Sequence, residues 1–242
     1  VGDAIERVMA GPEKKDRVIS DKKKELVAYH EAGHALVGAL MPDYDPVAKV
    51  SIIPRGQALG ATFFLPEKDH YNWSRKQLCD EICALFGGYA AEAPFLNDTS
   101  AGVSNDLERA TKMAHAMVRR FGMSNIGPVH LEPHANEWGF GDKYYSEHTA
   151  KRIDEEVNQI LLEQNERASQ LVREHTDLVE KLTEALLKYE TLTRKEFEAL
   201  MEGGEVESLR PNKSNSVSEA EGALSENPPP IPEDEKSGNS SE

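Results

Sequence analysis

Cysteine is almost absent: Cys79 and Cys83 are the only two in 242 residues, too few for a disulfide framework. Their spacing is neither a redox Cys-x-x-Cys pair nor a full zinc site. Both fall on one face of a predicted helix beside Ile82 and Phe86, so they read as buried free thiols in a chain suited to a reducing compartment. Basic residues are also short. The 28 Lys and Arg against 43 Asp and Glu leave a formal net charge of −15, which excludes nucleic acid as a partner for want of a basic face. No run of about 18 apolar residues is present, and the first residues lack the basic, apolar and small-residue zones of a signal peptide, so the chain as it stands is expected to be soluble. A Gly-rich loop ending in Lys-Ser or Lys-Thr is missing too, which removes ATP as a ligand by P-loop chemistry.

What the chain does hold is His30, Glu31, Ala32, Gly33 and His34. Four residues turn an α-helix by about 400°, so two histidines at this spacing sit one turn apart and only about 40° out of line. Both can grip one metal ion, while Glu31, one position further round, is placed to reach a metal-bound water as general base. The surroundings support a helix. Ser20 is a predicted N-cap, no proline interrupts Asp21 to Leu40, and Leu26, Val27, His30, His34, Val37 and Leu40 form a stripe that Pro42 ends. Two histidines on a core stripe are otherwise unfavourable, since each buried imidazole needs a partner.

The rest of the body reads as mainly α with a small β-sheet. Val47 to Ile53 and Leu59 to Leu65 are predicted strands, separated by Pro54, Arg55 and Gly56. Ser74 and Gln77 form a capping box for a helix towards Ala91, with Pro94 just past its end and Gly87 and Gly88 marking close packing. A further helix spans Asn105 to Phe121, capped by Ser104 and ended by Gly122, with Leu107, Ala110, Met113, Ala114, Met117, Val118 and Phe121 at helical spacing. A long helical tract from Ser146 to Tyr189 breaks near His175 to Asp177, and Thr193 with Glu196 caps a last helix that Gly203 ends. From Glu205 onward the chain is rich in Ser, Asn, Pro and Glu, with nine acidic against three basic side chains, and is expected to be disordered.

A catalytic zinc usually takes three protein ligands and keeps a fourth position open. Spacing alone leaves the third ligand open among the other histidines and the carboxylates near helix ends, chiefly Glu92, Asp98 and Asp106. Asp106 lies in the first turn of its helix, where the dipole favours a carboxylate in any case. His130 and His134 flank Pro133 and read as surface loop histidines; His70, His115, His148 and His175 occur singly and read as ordinary surface or packed residues.

The block Ser104, Asn105, Asp106, Leu107, Glu108, Arg109, Ala110, Thr111, together with His30 to His34, resembles the FtsH-type AAA metalloproteases. Ile53 to Gly56 with Ala58, Leu59 and Gly60 resembles that family's strand-loop-strand. Gly87, Gly88, Ala90, Ala91 and Glu92 resemble its following helix, and Ala10 to Lys15 its link between ATPase and protease modules. Tyr89, Ala93 to Leu96 and the loop from Pro128 to Lys143 depart from the pattern without touching a proposed ligand. The resemblance implies a zincin-like metal helix plus a helical bundle, with residues 1–19 as linker from an ATPase module outside this chain and 20–202 as zinc metalloprotease domain; composition makes 203–242 a disordered acidic tail. It implies zinc on His30, His34 and Asp106, with Glu31 activating the water.

Cofactors and partners follow the same resemblance. ATP with magnesium acts only through the absent module; the ring is a homo-hexamer fed with unfolded or misassembled membrane and cytosolic polypeptides. An anchor outside this chain holds it at the inner (plasma) membrane, protease domain on the cytoplasmic side. The strand carrying Leu59, Gly60, Ala61, Thr62 and Phe63 is either an ordinary sheet strand or an open edge for extended substrate. A non-catalytic assembly module is the rival reading, and Glu31 speaks against it, since a structural site closes its shell and has no use for a carboxylate aimed at a water.

Overall fold

Helix α1 (Asp21–Ala39) runs through the middle of the structure, a computed structural model describing residues 11–13, 19–56, 58–66, 72–132, 134–135, 141–142 and 145–210. Its start follows the expectation at Ser20, although the Ser20 carbonyl, not its hydroxyl, takes the first amides, from Lys23 and Lys24 at 2.9 Å. Every residue from Glu31 to Gly38 is buried, which explains why α1 lacks a strong polar face. It packs chiefly on α2 (Arg75–Leu96) and on α5 (Thr176–Tyr189), with α3 (Ser104–Arg119) and α4 (Glu147–Glu174) completing the helical layer around α2.

The contact between α1 and α2 is made by backbone. A Cβ on Gly33 would strike the Gly87 carbonyl oxygen and lie 2.7 Å from the Ala91 Cβ, and one on Gly87 would lie 2.6 Å from the Gly33 carbonyl oxygen. Gly33 of α1 and Gly87 of α2 are therefore what allow the two axes to approach. Around them Leu36, Ile82, Met117, Ile153, Leu182 and Leu186 are fully buried, each contributing about 1.5–3 kcal/mol of apolar burial. Cys79 and Cys83 are free and buried as expected, and burial pushes the Cys83 thiol up to about 12.

Strand β1 (Val47–Ser51) pairs antiparallel with β2 (Ala61–Phe64) on one side and with β5 (Thr191–Thr193) on the other. Val50 faces Thr62 in one pair and Leu192 in the other, so β2 is an edge strand in the order β2-β1-β5. Both predicted strands are shorter than expected, and β5 was not expected at all: three residues between two helices carry no readable period. Between β1 and β2 the chain turns at Arg55, which bridges to Ala58 and, from outside the sheet, to Glu13. The Arg55 guanidinium donates to Glu13 Oε1 at 2.5 Å and lies over the Phe63 ring at 5.8 Å. A separate pair, β3 (His134–Ala135) and β4 (Gly141–Asp142), is antiparallel.

Three further expectations are corrected. Pro94 lies inside α2, which continues to Leu96: it sits in the last turn, where its missing amide forfeits one bond, and Asn97 in the left-handed region closes the helix by donating to Ala93 O. Ser104 is the first residue of α3 and not its cap, because a 3₁₀ turn, Ala101–Val103, leads directly into the helix. Leu107 and Phe121 share the helical spacing of α3 but are exposed, at its two ends beyond the packed middle.

The other helix limits agree with the reading. The Ser74–Gln77 capping box forms, α4 breaks at His175, and Thr193 with Glu196 caps α6 (Arg194–Met201). The chain divides into units Val1–Val206 and Glu207–Glu242. Only residues 207–210 of the second are described, in a 3₁₀ turn, Val206–Leu209. Residues 211–242 of the expected acidic tail and most of the expected linker lie outside the described residues, while Val206–Leu209, expected to be disordered, forms that 3₁₀ turn because Val206 is buried.

Candidate metal centre

Helix α1 turns His30 and His34 towards α2 and α3, and the first turn of α3 brings Asp106 to meet them. His30 Nε2 and His34 Nε2 are 3.0 Å apart, and Asp106 Oδ2 lies 3.4 Å from the first and 3.3 Å from the second. A tetrahedral ion bonded at about 2.0–2.1 Å holds its ligand atoms about 3.3 Å from one another, so the triangle has the size that zinc requires. No other group of three or more His, Cys, Asp or Glu among the described residues is arranged to hold an ion.

The far nitrogen of each imidazole is already engaged. His30 Nδ1 is 2.8 Å from Glu92 Oε1 and His34 Nδ1 is 2.8 Å from the Ala84 carbonyl oxygen, so both Nε2 atoms face inward. Glu92 is itself fully buried and held by Ser100, whose amide donates to Oε2 at 2.6 Å and whose hydroxyl donates to Oε1 at 3.0 Å. Gly88 supplies the room. A Cβ there would fall 2.5 Å from the His30 ring and 2.7 Å from His34 Nε2.

Charge and burial act against each other at these side chains. Burial lowers the His30 pKa, yet the bonds to Asp106 and Glu92 outweigh it and push the imidazole up to about 10. Burial raises the two carboxylates; the imidazoles around Asp106, and His30 with Ser100 around Glu92, hold both below the usual range. Glu31 goes the other way: burial raises it, and His30, His34 and the Thr62 hydroxyl only partly offset that. Its carboxylate receives one hydrogen bond among the described residues, from Thr62 Oγ1 to Oε2 at 2.7 Å.

Of the open candidates for third ligand, the structure brings Asp106 to the histidines, puts Glu92 behind His30, and leaves Asp98 exposed, capping the Thr99 amide at 2.8 Å. Gly60 and Thr62, named only as edge-strand residues, turn out to border Glu31. His115 is half-buried, His130 and His148 are exposed, and His70 and the His134 side chain lie outside the described residues. The structural positions of Glu92, Thr62 and Ser100 had no sequence signal beyond residue type, because their partners are eight to 62 residues away.

The profile of Peptidase family M41 matches residues 17–200, which contain the whole of this constellation. The chain belongs to peptidase family M41. Similar M41 sequences include the ATP-dependent zinc metalloprotease FtsH of Rubrobacter xylanophilus, 46% identical over 206 residues, or 83% of this chain and 32% of that protein. ATP-dependent zinc metalloprotease FtsH 3 of Synechocystis sp. is 46% identical over 212 residues, 83% of this chain and 34% of that protein. The chloroplastic ATP-dependent zinc metalloprotease FTSH of Medicago sativa is 45% identical over 217 residues, 86% and 31% respectively. The M41 chain thus spans about a third of the length of the curated relatives it matches. Among its described residues no helix is long and apolar enough to cross a membrane.

Proposed function

We propose that this chain is the zinc-dependent endopeptidase part of an ATP-dependent protease, with His30, His34 and Asp106 holding the metal and Glu31 as general base. The observation that carries the reading is the triangle of three donor atoms, 3.0 to 3.4 Å on a side, with a buried carboxylate one residue from the first. Zinc, when bound, lowers the pKa of a coordinated water and polarises a carbonyl. Glu31 takes a proton from the attacking water as the carbon–oxygen bond forms, and delivers it to the departing amine as the carbon–nitrogen bond breaks. Burial raises the Glu31 pKa above the ordinary carboxylate value, which favours its taking a proton. Glu92 and the Ala84 carbonyl keep the two imidazoles facing the metal.

Extended substrate pairs with the open edge of β2 in this reading, from Leu59 through Gly60, Ala61, Thr62 and Phe63, and backbone bonding there asks for no particular sequence. The names of the relatives carry ATP dependence, which in this chain would act, with magnesium, through a module outside it. A homo-hexameric ring, an anchor outside this chain at the inner (plasma) membrane with the protease domain on the cytoplasmic side, and processive degradation of unfolded or misassembled proteins complete the proposal; the resemblance to FtsH-type proteases supports them.

Zinc content and casein hydrolysis of the purified chain test the core of the reading. The parent is expected to hold about one zinc after dialysis, Asp106→Ala to lose most of it, and Glu31→Gln to keep the zinc while losing about a hundredfold or more in kcat. Full zinc retention in Asp106→Ala, or parental activity in Glu31→Gln, would overturn the assignment.

A further inference from the structure

Glu31 is approached by two residues of one short segment, and they treat its two oxygens differently. The Thr62 hydroxyl donates to Oε2 at 2.7 Å, with the Glu31 carbonyl oxygen 3.2 Å away. Oε1 receives no hydrogen bond among the described residues, and the space beside it stays open because residue 60 is glycine: a Cβ on Gly60 would lie 2.6 Å from Oε1 and 2.8 Å from Cγ. Glu31 is 6% exposed, so water does not replace a missing donor freely. A long side chain on a helix also has several rotamers, and one strong bond to an ionised oxygen is enough to select among them.

From this we infer that Thr62 is a positioning residue for Glu31: its hydroxyl holds Oε2 so that Oε1 is the oxygen presented to the proton. The inference rests on the reading of Glu31 as general base. Thr62 belongs to β2, the edge strand in register with Val50 of β1, so the residue that aims the base lies within the segment offered to substrate. Displacement of β2 relative to α1 therefore moves the base as well as the substrate. The 62-position hydroxyl is the part that matters; the methyl only fills space.

Thr62→Val keeps the shape and removes the hydroxyl, while Thr62→Ser keeps the hydroxyl. Measured on the full chain with one equivalent of zinc and a fluorogenic casein, Thr62→Val is expected to lower kcat about 10–100-fold, with KM changed less than about twofold and zinc content unaltered; Thr62→Ser should restore most of kcat. Parental kcat in Thr62→Val, loss of zinc in it, or a Thr62→Ser variant no better than Thr62→Val would overturn the inference.

A second readout does not depend on activity. The infrared carboxylate band that vanishes in Glu31→Gln should shift in Thr62→Val and return in Thr62→Ser, and an unmoved band would equally overturn it. A zinc-loaded parent with no peptidase activity would instead sink the proposed function, and the infrared measurement would still decide whether Thr62 holds Glu31.

Discussion

Both nitrogens of His30 face carboxylates, Glu92 Oε1 at 2.8 Å on one side and Asp106 Oδ2 at 3.4 Å on the other. The two negative charges hold a proton on the imidazole that a divalent cation has to replace, since a cation takes Nε2 and brings its own charge. With the His30 pKa pushed up to about 10, zinc uptake at pH 7 is expected to release close to one proton from this ring, and zinc affinity should rise with pH up to about that value. Calorimetry of zinc binding in buffers of different ionisation enthalpy measures the release directly. The metal-free protein carries the opposite sign. A raised imidazole pKa gives stability that is fully present below about 6.5 and is lost as pH rises towards about 10, so the stability gap between the parent and His30→Gln should shrink over that window.

At the scale of elements, the pair of glycines between α1 and α2 decides the geometry of the centre, because it brings the helix with both histidines onto the helix with Glu92 and Ala84. Gly to Ala in an exposed helix interior stabilises by roughly 1 kcal/mol. Gly87→Ala is expected to do the reverse and cost at least about 2 kcal/mol in urea unfolding, because its Cβ meets the Gly33 backbone, which cannot rotate away.

How much of this was legible follows the range of the interactions involved. His30, Glu31 and His34 lie within one helical turn, so their spacing was a direct reading. By spacing alone Asp106 is one of several carboxylates, and only the resemblance of the block around it singles it out. The Ser74–Gln77 and Thr193–Glu196 boxes are local and were read correctly, whereas β5 exists only because β1 lies beside it. Glu92 shows the limit most clearly: spacing admits it as a ligand, and only the fold places it behind one. Leu107 and Phe121 fit a period whose ends have nothing to pack on.

For the molecule as a whole, the proposed metal ligands come from two helices, with His34 and Asp106 72 positions apart in the sequence, so the unfolded chain has no comparable site. Zinc then acts as a folding ligand. At a free concentration of 100 times Kd it should add about 2.7 kcal/mol, and chelation with EDTA should lower Tm by about 5–10 °C in a thermal melt of the full chain. An unchanged melting curve would mean that zinc binds folded and unfolded chains alike.

At the bridge between Glu13 and Arg55, Arg55 is buried, reaches outward to Glu13 and lies over Phe63 of β2. The bridge ties residue 13, ahead of α1 in the chain, to the turn that leads into β2, the strand carrying Thr62.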